Sequence, residues 1–319
     1  MASPLTHPVL VSPVAGSTAF LDDHGGLRLW RQREISRVHV KALPDARVLV
    51  DARGRLLLYT HPTSRYAHGV LGDQIEAAGM TLLETTPQLR VLQTIMFPDD
   101  VVAEGIAPIW TDMNGDGQPE ILVTLSDARQ GAQLVVYSET GKRLATSEAI
   151  GHGSRWRHQL AVAPFGPQGA VEIATVLTPH IGGVVEFYRL TGDELRLTAQ
   201  LSGTSLPPSA PPSAETAAVG DFTTVPMQGF GSHVLGSRNL DLAVAGDLDG
   251  DGRIELLLPN QERTHLAAMR RTEEGAAVVW SVPIGGTLHT NLAAVTLPNG
   301  TIAIGAGHTG NVIRLWLPR

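Results

Sequence analysis

Cysteine is absent from this 319-residue chain. That excludes disulfides, iron–sulfur clusters and cysteine-ligated zinc, and it leaves the redox compartment open. Lysine is nearly absent as well, with 22 arginines to 2 lysines. A GC-rich genome is the plain explanation of that bias; arginine selected for bidentate anion contacts is the alternative. No run of about 18 apolar residues occurs, so no membrane-spanning helix is expected. Positive charge is in deficit: the net charge is −7 and the pI near 5.9. A nucleic-acid partner is therefore not expected, because phosphate backbones call for a basic patch. The opening MASPLTHPVLVSPVAG lacks a basic start and a long apolar core, so it is not read as a signal peptide. An extracytoplasmic setting, periplasmic or secreted, is favoured, with any signal peptide outside this chain; the cytoplasm stays open.

Long helical periodicity is also scarce. What the chain has is 43% hydrophobic residues, enough for a sizeable core. They come in short β-rich runs punctuated by Gly, Pro, Asn and Asp. Only GDQIEAAGMTLLE could pass as a helix, and it fits better as part of a repeat.

The repeat shows when LAVAGDLDGDGRIELLL (242–258) is set against LAVAPFGPQGAVEIATV (160–176). The first four letters match, and Glu255 falls on Glu172 with a one-residue deletion. IAPIWTDMNGDGQPEILV (106–123) has the same grammar, and LAAVTLPNGTIAIGA (292–306) keeps it without acids. HGVLGDQIEAAGMTLL (68–83), RVLVDARGRLLLY and TAFLDDHGGLRLW are weaker relatives. Each unit reads as strand, loop, strand and then one or two more strands. Four short strands at a spacing of roughly 45 residues mark a β-propeller blade. The predicted fold is all-β: a single propeller domain over 1–319, with seven blades favoured and six allowed. A Pro/Ser-rich insertion at about 202–237 interrupts the rhythm; it is either a functional loop or a tolerated one.

Two loops concentrate oxygen ligands. TDMNGDGQPE offers Asp112, Asn114, Asp116 and Glu120, with the carbonyl of Gln118; GDLDGDGRIE offers Asp247, Asp249, Asp251 and Glu255, with the carbonyl of Arg253. Alternate residues of a tight loop can converge, and Gly117 and Gly252 let the backbone turn. Hard oxygen donors in a flexible ring suit Ca²⁺ better than a transition metal. An EF-hand would need an acid at position 12, but Val123 and Leu258 stand there. The acid comes at position 9, immediately before an apolar strand.

The pattern D-x-[DN]-x-D-G-x-x-E before an apolar strand, in blade-like units, resembles the FG-GAP/VCBS repeat family. The resemblance implies an integrin-α-like propeller with calcium in the loop between the first and second strands of a blade. It implies two calcium sites here, with APFGPQGAVE keeping only Glu172. In such a protein the ion would be expected to stabilise the hairpin. The resemblance also implies that ligands bind at the opposite face, on lead-ins to first strands and on second-to-third joins. Those segments hold eight of the twelve histidines: His61, His68, His152, His158, His180, His233, His289 and His308. Arg155, Trp156, Arg157 and Arg238 join them.

Such a set could hold a transition metal, supply acid–base groups, or grip an anionic or sugar-like ligand. Alternatively, each histidine simply stitches its own blade by hydrogen bonds. A binding or adhesion module for a protein or glycan ligand is the leading expectation. A carbohydrate-active lyase, dehydratase or hydrolase with a His-ligated metal is the alternative, and a structural subunit of a larger complex is a third. No G-x-S-x-G, Walker A or H-E-x-x-H occurs, so no reaction is indicated and the oligomeric state is left open. GAGHTG (305–310) lacks the βαβ unit that a dinucleotide site needs. Asn299-Gly300-Thr301 fits a glycosylation sequon but reads as a tight turn.

Overall fold

The computed structural model describes residues 10–66, 68–153, 155–203 and 229–317. Most of the stretch read as an insertion, 204–228, lies outside the described residues. The chain divides into two compact units, Met1–Trp156 with Gly192–Glu194, and Arg157–Thr191 with Leu195–Arg319.

The first unit holds three antiparallel meanders. One comprises β1 (Leu10–Val11), β2 (Ser17–Leu21), β3 (Gly26–Arg31) and β4 (Glu34–His39). The next comprises β5 (Leu49–Val50), β6 (Leu56–Thr63), β7 (Glu76–Glu84) and β8 (Arg90–Met96). A short β9 (Val102–Ala103) then pairs with both β7 and the second strand of the third meander. That meander is β10 (Ile109–Thr111), β11 (Glu120–Asp127), β12 (Gly131–Tyr137) and β13 (Arg143–Thr146).

The second unit repeats the plan. It has β14 (Arg157–Ala163), β15 (Glu172–Leu177), β16 (Val184–Thr191) and β17 (Glu194–Leu201). These are followed by β18 (Val244–Gly246), β19 (Glu255–Pro259), β20 (His265–Arg271) and β21 (Ala276–Pro283). A last meander of β22 (Ala293–Thr296), β23 (Ile302–His308) and β24 (Val312–Trp316) has three strands among the described residues.

Six meanders therefore occur among the described residues, the smaller of the two counts that the repeat spacing allowed. The difference lies at 68–83, which has the grammar of a unit start. It supplies instead the second-to-third connection and third strand of the second meander, because β6 pairs with β7 from Leu56↔Leu83 to Thr63↔Glu76. GDQIEAAGMTLLE is accordingly strand rather than helix.

Inner strands are buried on both faces, which is why they read as unbroken apolar runs rather than alternating ones. β11 is buried from Glu120 to Ser126, and β19 along its whole length. Outer strands such as β4 and β8 face water and carry Glu34, Arg37, Arg90 and Gln93. The first unit packs around Leu56, Leu57, Tyr59, Leu83, Ile121 and Val123. In the second unit one cluster gathers Val176, Phe187, Phe230, Leu256 and Met269, and another gathers Leu257, Trp280 and Ile304. Each such side chain contributes roughly 1.5–3 kcal/mol by leaving water. Among the described residues no helix is long and apolar enough to cross a membrane.

Candidate metal centre

The two acidic loops occupy equivalent places, each joining the first strand of a meander to the second. Thr111 pairs with Glu120 and closes the first; Gly246 pairs with Glu255 and closes the second. Their internal hydrogen bonds match almost bond for bond. Asp112 accepts the backbone N–H of Gly115 at 2.7 Å and of Gly117 at 2.8 Å. Asp247 accepts those of Gly250 at 2.7 Å and Gly252 at 3.0 Å. Glu120 accepts from Met113 N–H at 2.7 Å, as Glu255 does from Leu248 N–H at 2.9 Å. Asp116 and Asp251 accept the N–H of Gln118 and Arg253. Gly117 at φ 80° and Gly252 at φ 85° take the left-handed turn that only glycine adopts cheaply.

These bonds aim the carboxylates inward. Ligand oxygens of Asp247, Asp249 and Glu255 all lie within 4.8 Å of one another, a spacing that fits a hard cation. Asp112 is held below the usual carboxylate range by the N–H groups of Gly117 and Gly115. Glu120 is pushed up by burial and by the charges of Asp116 and Asp112. Burial also raises Glu255, against the pull of the Leu248 N–H and Arg270. For Asp251 burial works upward, but the backbone and side chain of Arg253, with Arg270, hold it down.

The loops differ in one neighbour that the sequence pattern did not reveal. Arg270, on β20, reaches into the second loop. Its Nη2 meets Asp249 Oδ2 at 2.9 Å, its Nη1 meets Asp251 Oδ2 at 3.1 Å, and its Nε donates to Glu255 Oε1 at 2.8 Å. The register Leu256↔Met269 sets Arg270 beside Glu255. In the fourth meander Ile173↔Tyr188 sets Arg189 beside Glu172, and Arg189 Nη2 donates to Glu172 Oε1 at 2.8 Å. In the third, Ile121↔Tyr137 sets Ser138 beside Glu120. There the Asn114 amide bridges Glu120 at 2.8 Å and Asp116 at 3.3 Å. Only knowledge of strand pairing brings these partners together.

The histidines fall at the other ends of their own meanders, but not all on loops. His61 lies within β6 and His68 on the join from β6 to β7, not on a lead-in to a first strand. His61 Nδ1 bonds Thr60 Oγ1 at 3.0 Å, and burial lowers the His61 pKa. His68 Nδ1 bonds buried Glu104, whose other oxygen takes the Ser126 hydroxyl. His152 and Arg155 are exposed, whereas Trp156 is buried. Arg157 and His158 are buried in β14: Arg157 donates to Glu186 at 2.9 Å, and His158 Nδ1 bonds Ser232 Oγ at 2.9 Å. His180 and His233 meet edge to face at 5.8 Å, and His233 Nε2 bonds the Ser237 carbonyl at 2.9 Å. Arg238 follows, half-buried. His289 and His308 line a cleft of about 410 Å³ with Thr290, Thr309 and Asn311. Within the second unit the structure thus gathers His158, Ser232, His233 and His180 at one place and His289 with His308 at another.

Comparison with solved structures places the fold. The chain is similar to the Dos1 propeller at TM-score 0.53 and 8% identity, over 94% of this chain and 64% of that one. It is similar to a protein from Lactobacillus plantarum at TM-score 0.51 and 12% identity, over 99% of this chain and 82% of that one. No family model and no curated protein matches it. At these identities the likeness speaks for fold alone. The chain is an all-β protein of the β-propeller type, and no family model supports the expected FG-GAP/VCBS repeats.

Proposed function

We propose that this chain is a calcium-stabilised β-propeller acting as a binding module, taking a protein or glycan ligand at the histidine-bearing ends of its meanders. The observation that supports the metal reading is the matched bonding of the two loops, in which Asp112 and Asp247 each accept two glycine N–H groups and Glu120 and Glu255 each accept one from their own loop. Calcium suits all-oxygen loops of this flexibility. Bound there, it would neutralise the clustered carboxylates. The residues themselves do the rest: Asp112 and Asp247 fold each loop onto its glycines, and Glu120 and Glu255 tie each loop to its strand. An extracytoplasmic setting goes with this reading, since extracellular calcium modules work where calcium is abundant.

The cleft between His289 and His308 supports the ligand reading. Its volume of about 410 Å³ lies within the range of small-ligand sites. Imidazole, hydroxyl and amide groups beside Val312 and Ile313 offer the mix of polar and apolar contact that a sugar ring or a peptide side chain uses. The test has two arms. Calcium added to chelator-treated protein should raise its Tm, and Asp112→Asn/Asp116→Asn should reduce the rise; a calcium-blind Tm with no binding by calorimetry overturns the metal reading. A glycan and peptide panel should yield a ligand whose affinity drops at least about tenfold in His289→Ala or His308→Ala. A ligand indifferent to both moves the site elsewhere.

A further inference from the structure

The three related loops form a series in which acids and a neighbouring arginine vary across meanders, and the loop beside Arg270 is its middle member. The fourth meander keeps Glu172 and has lost every other acid of the pattern, and Glu172 is held by Arg189 from the adjacent strand. The third meander keeps Asp112, Asp116 and Glu120 and has Ser138 where that arginine would stand. The fifth keeps four acids and has the arginine too.

We propose that the guanidinium of Arg270 is a built-in cation that fills the second acidic loop, so that calcium dependence resides in the first loop, 112–120, and the second loop folds without the ion. This deepens, and rests on, the calcium reading above. The geometry carries it. Two of the three residues whose oxygens converge, Asp249 and Glu255, are the ones Arg270 Nη2 and Nε bind, at 2.9 and 2.8 Å. An ion-pair contact from Nη1 to Asp251 at 3.1 Å spreads the positive charge over the ring of acids as a metal would. Arg270 is itself buried and fixed on β20. A calcium ion must take these oxygens from a guanidinium that cannot lose its proton and that would be left facing a divalent ion at close range.

The substitution that accompanies it is informative. Asn114 of the first loop becomes Asp249 in the second, and Asp249 is the partner that Arg270 Nη2 holds. One extra negative charge, Asp249, therefore enters with two positive ones, Arg270 and the more exposed Arg253, which stands where the first loop has Gln118 and pairs with Asp251 at 3.0 Å. In the first loop the bridging donor is only the Asn114 amide, bound to Glu120 at 2.8 Å and Asp116 at 3.3 Å. An amide turns about its own axis to present oxygen instead of nitrogen, so it yields to an incoming cation; an arginine has no acceptor to present.

The experiment is calcium titration by calorimetry, with thermal melts in chelator and in calcium, on four forms of the full chain. These are the wild type, Asp112→Asn/Asp116→Asn, Arg270→Ser, and the combination of the two. The wild type should bind one calcium well, and Asp112→Asn/Asp116→Asn should abolish it. Arg270→Ser, which restores the residue found at 138, should tighten the second loop by about tenfold or more. In the combined variant the Tm should again rise with calcium. Should Arg270→Ser fold too poorly, Arg270→Gln removes the charge while keeping the length and serves the same comparison. If the second loop binds calcium equally well with Arg270 present and absent, the inference is overturned while the calcium reading survives. If no form binds calcium, both fall.

Discussion

Arg271 and Glu172 lie 99 positions apart in sequence, and Arg271 Nε donates to Glu172 Oε2 at 2.8 Å with both residues buried. Arg189 holds the other oxygen of the same carboxylate at 2.8 Å, and the Arg271 guanidinium also lies over the Phe187 ring at 5.7 Å. A strand end of the fifth meander is thereby tied to the loop end of the fourth. Arg271→Met should cost about 3 kcal/mol, the scale of breaking one side of a buried pair. Arg271→Met with Glu172→Leu should cost less than the sum of the two single changes, because no charge is then left buried opposite a vacancy on that side. Urea denaturation of the three variants measures this; strict additivity would show that the pair is not coupled.

Glu76 makes the second unpopular demand on the fold. It is buried at the start of β7, its Oε2 has no hydrogen-bond partner among the described residues, and burial with the nearby charge of Glu104 raises its pKa to about 9. The raised value means that the folded chain keeps a proton the unfolded chain has lost. The associated stability is present in full below the unfolded value of 4.5 and is lost as pH rises toward 9. At pH 7 the loss amounts to at most about 3 kcal/mol. Glu76→Gln should flatten that decline, gaining on the wild type between pH 5 and 8. Parallel stability–pH curves for the two proteins would refute it.

Gly117 isolates the backbone cost of an acidic loop. Its φ is 80°, and a Cβ there would meet no atom within 4 Å. Gly117→Ala should therefore cost about 1–2 kcal/mol through conformation alone. In the calcium reading, the same change should also weaken the ion, since the Gly117 N–H orients Asp112 at 2.8 Å. Chemical denaturation in chelator separates the first effect from the second, and an unchanged midpoint would contradict the strain.

His68 and Ser126 both serve the buried carboxylate of Glu104. His68→Ala should destabilise the first unit by about 2–3 kcal/mol, and Ser126→Ala by about 1–2 kcal/mol. If His68 serves a ligand rather than the fold, His68→Ala leaves stability unchanged and its effect shows only in binding, which the same denaturation curves decide.

The acidic loops were the most legible part of this chain because their chemistry is local. Asp112 reaches Gly115 and Gly117, and Asp247 reaches Gly250 and Gly252, all within five positions, so the spacing of letters is the spacing of bonds. The strand rhythm was legible for a similar reason: β11 and β19 begin at the very acids that end the loops, and their apolar runs record burial on both faces. By contrast, the Gly-Asp and Glu of 68–83 mimic a loop and strand start, and only the pairing of β6 with β7 assigns them to a different connection.

What the sequence by itself determined, then, is the all-β repeat, the turn chemistry and the two oxygen-rich loops, since each depends on residues a few positions apart. The tertiary structure alone decided which partners those groups meet. Arg270 enters the second loop from fifteen positions beyond Glu255, and Arg271 finds Glu172 from 99 positions away. His158 finds Ser232 from 74 positions away. Strand register and meander packing set these pairings, and no local spacing encodes them. They are also what ties His158 and Arg157 into the fold.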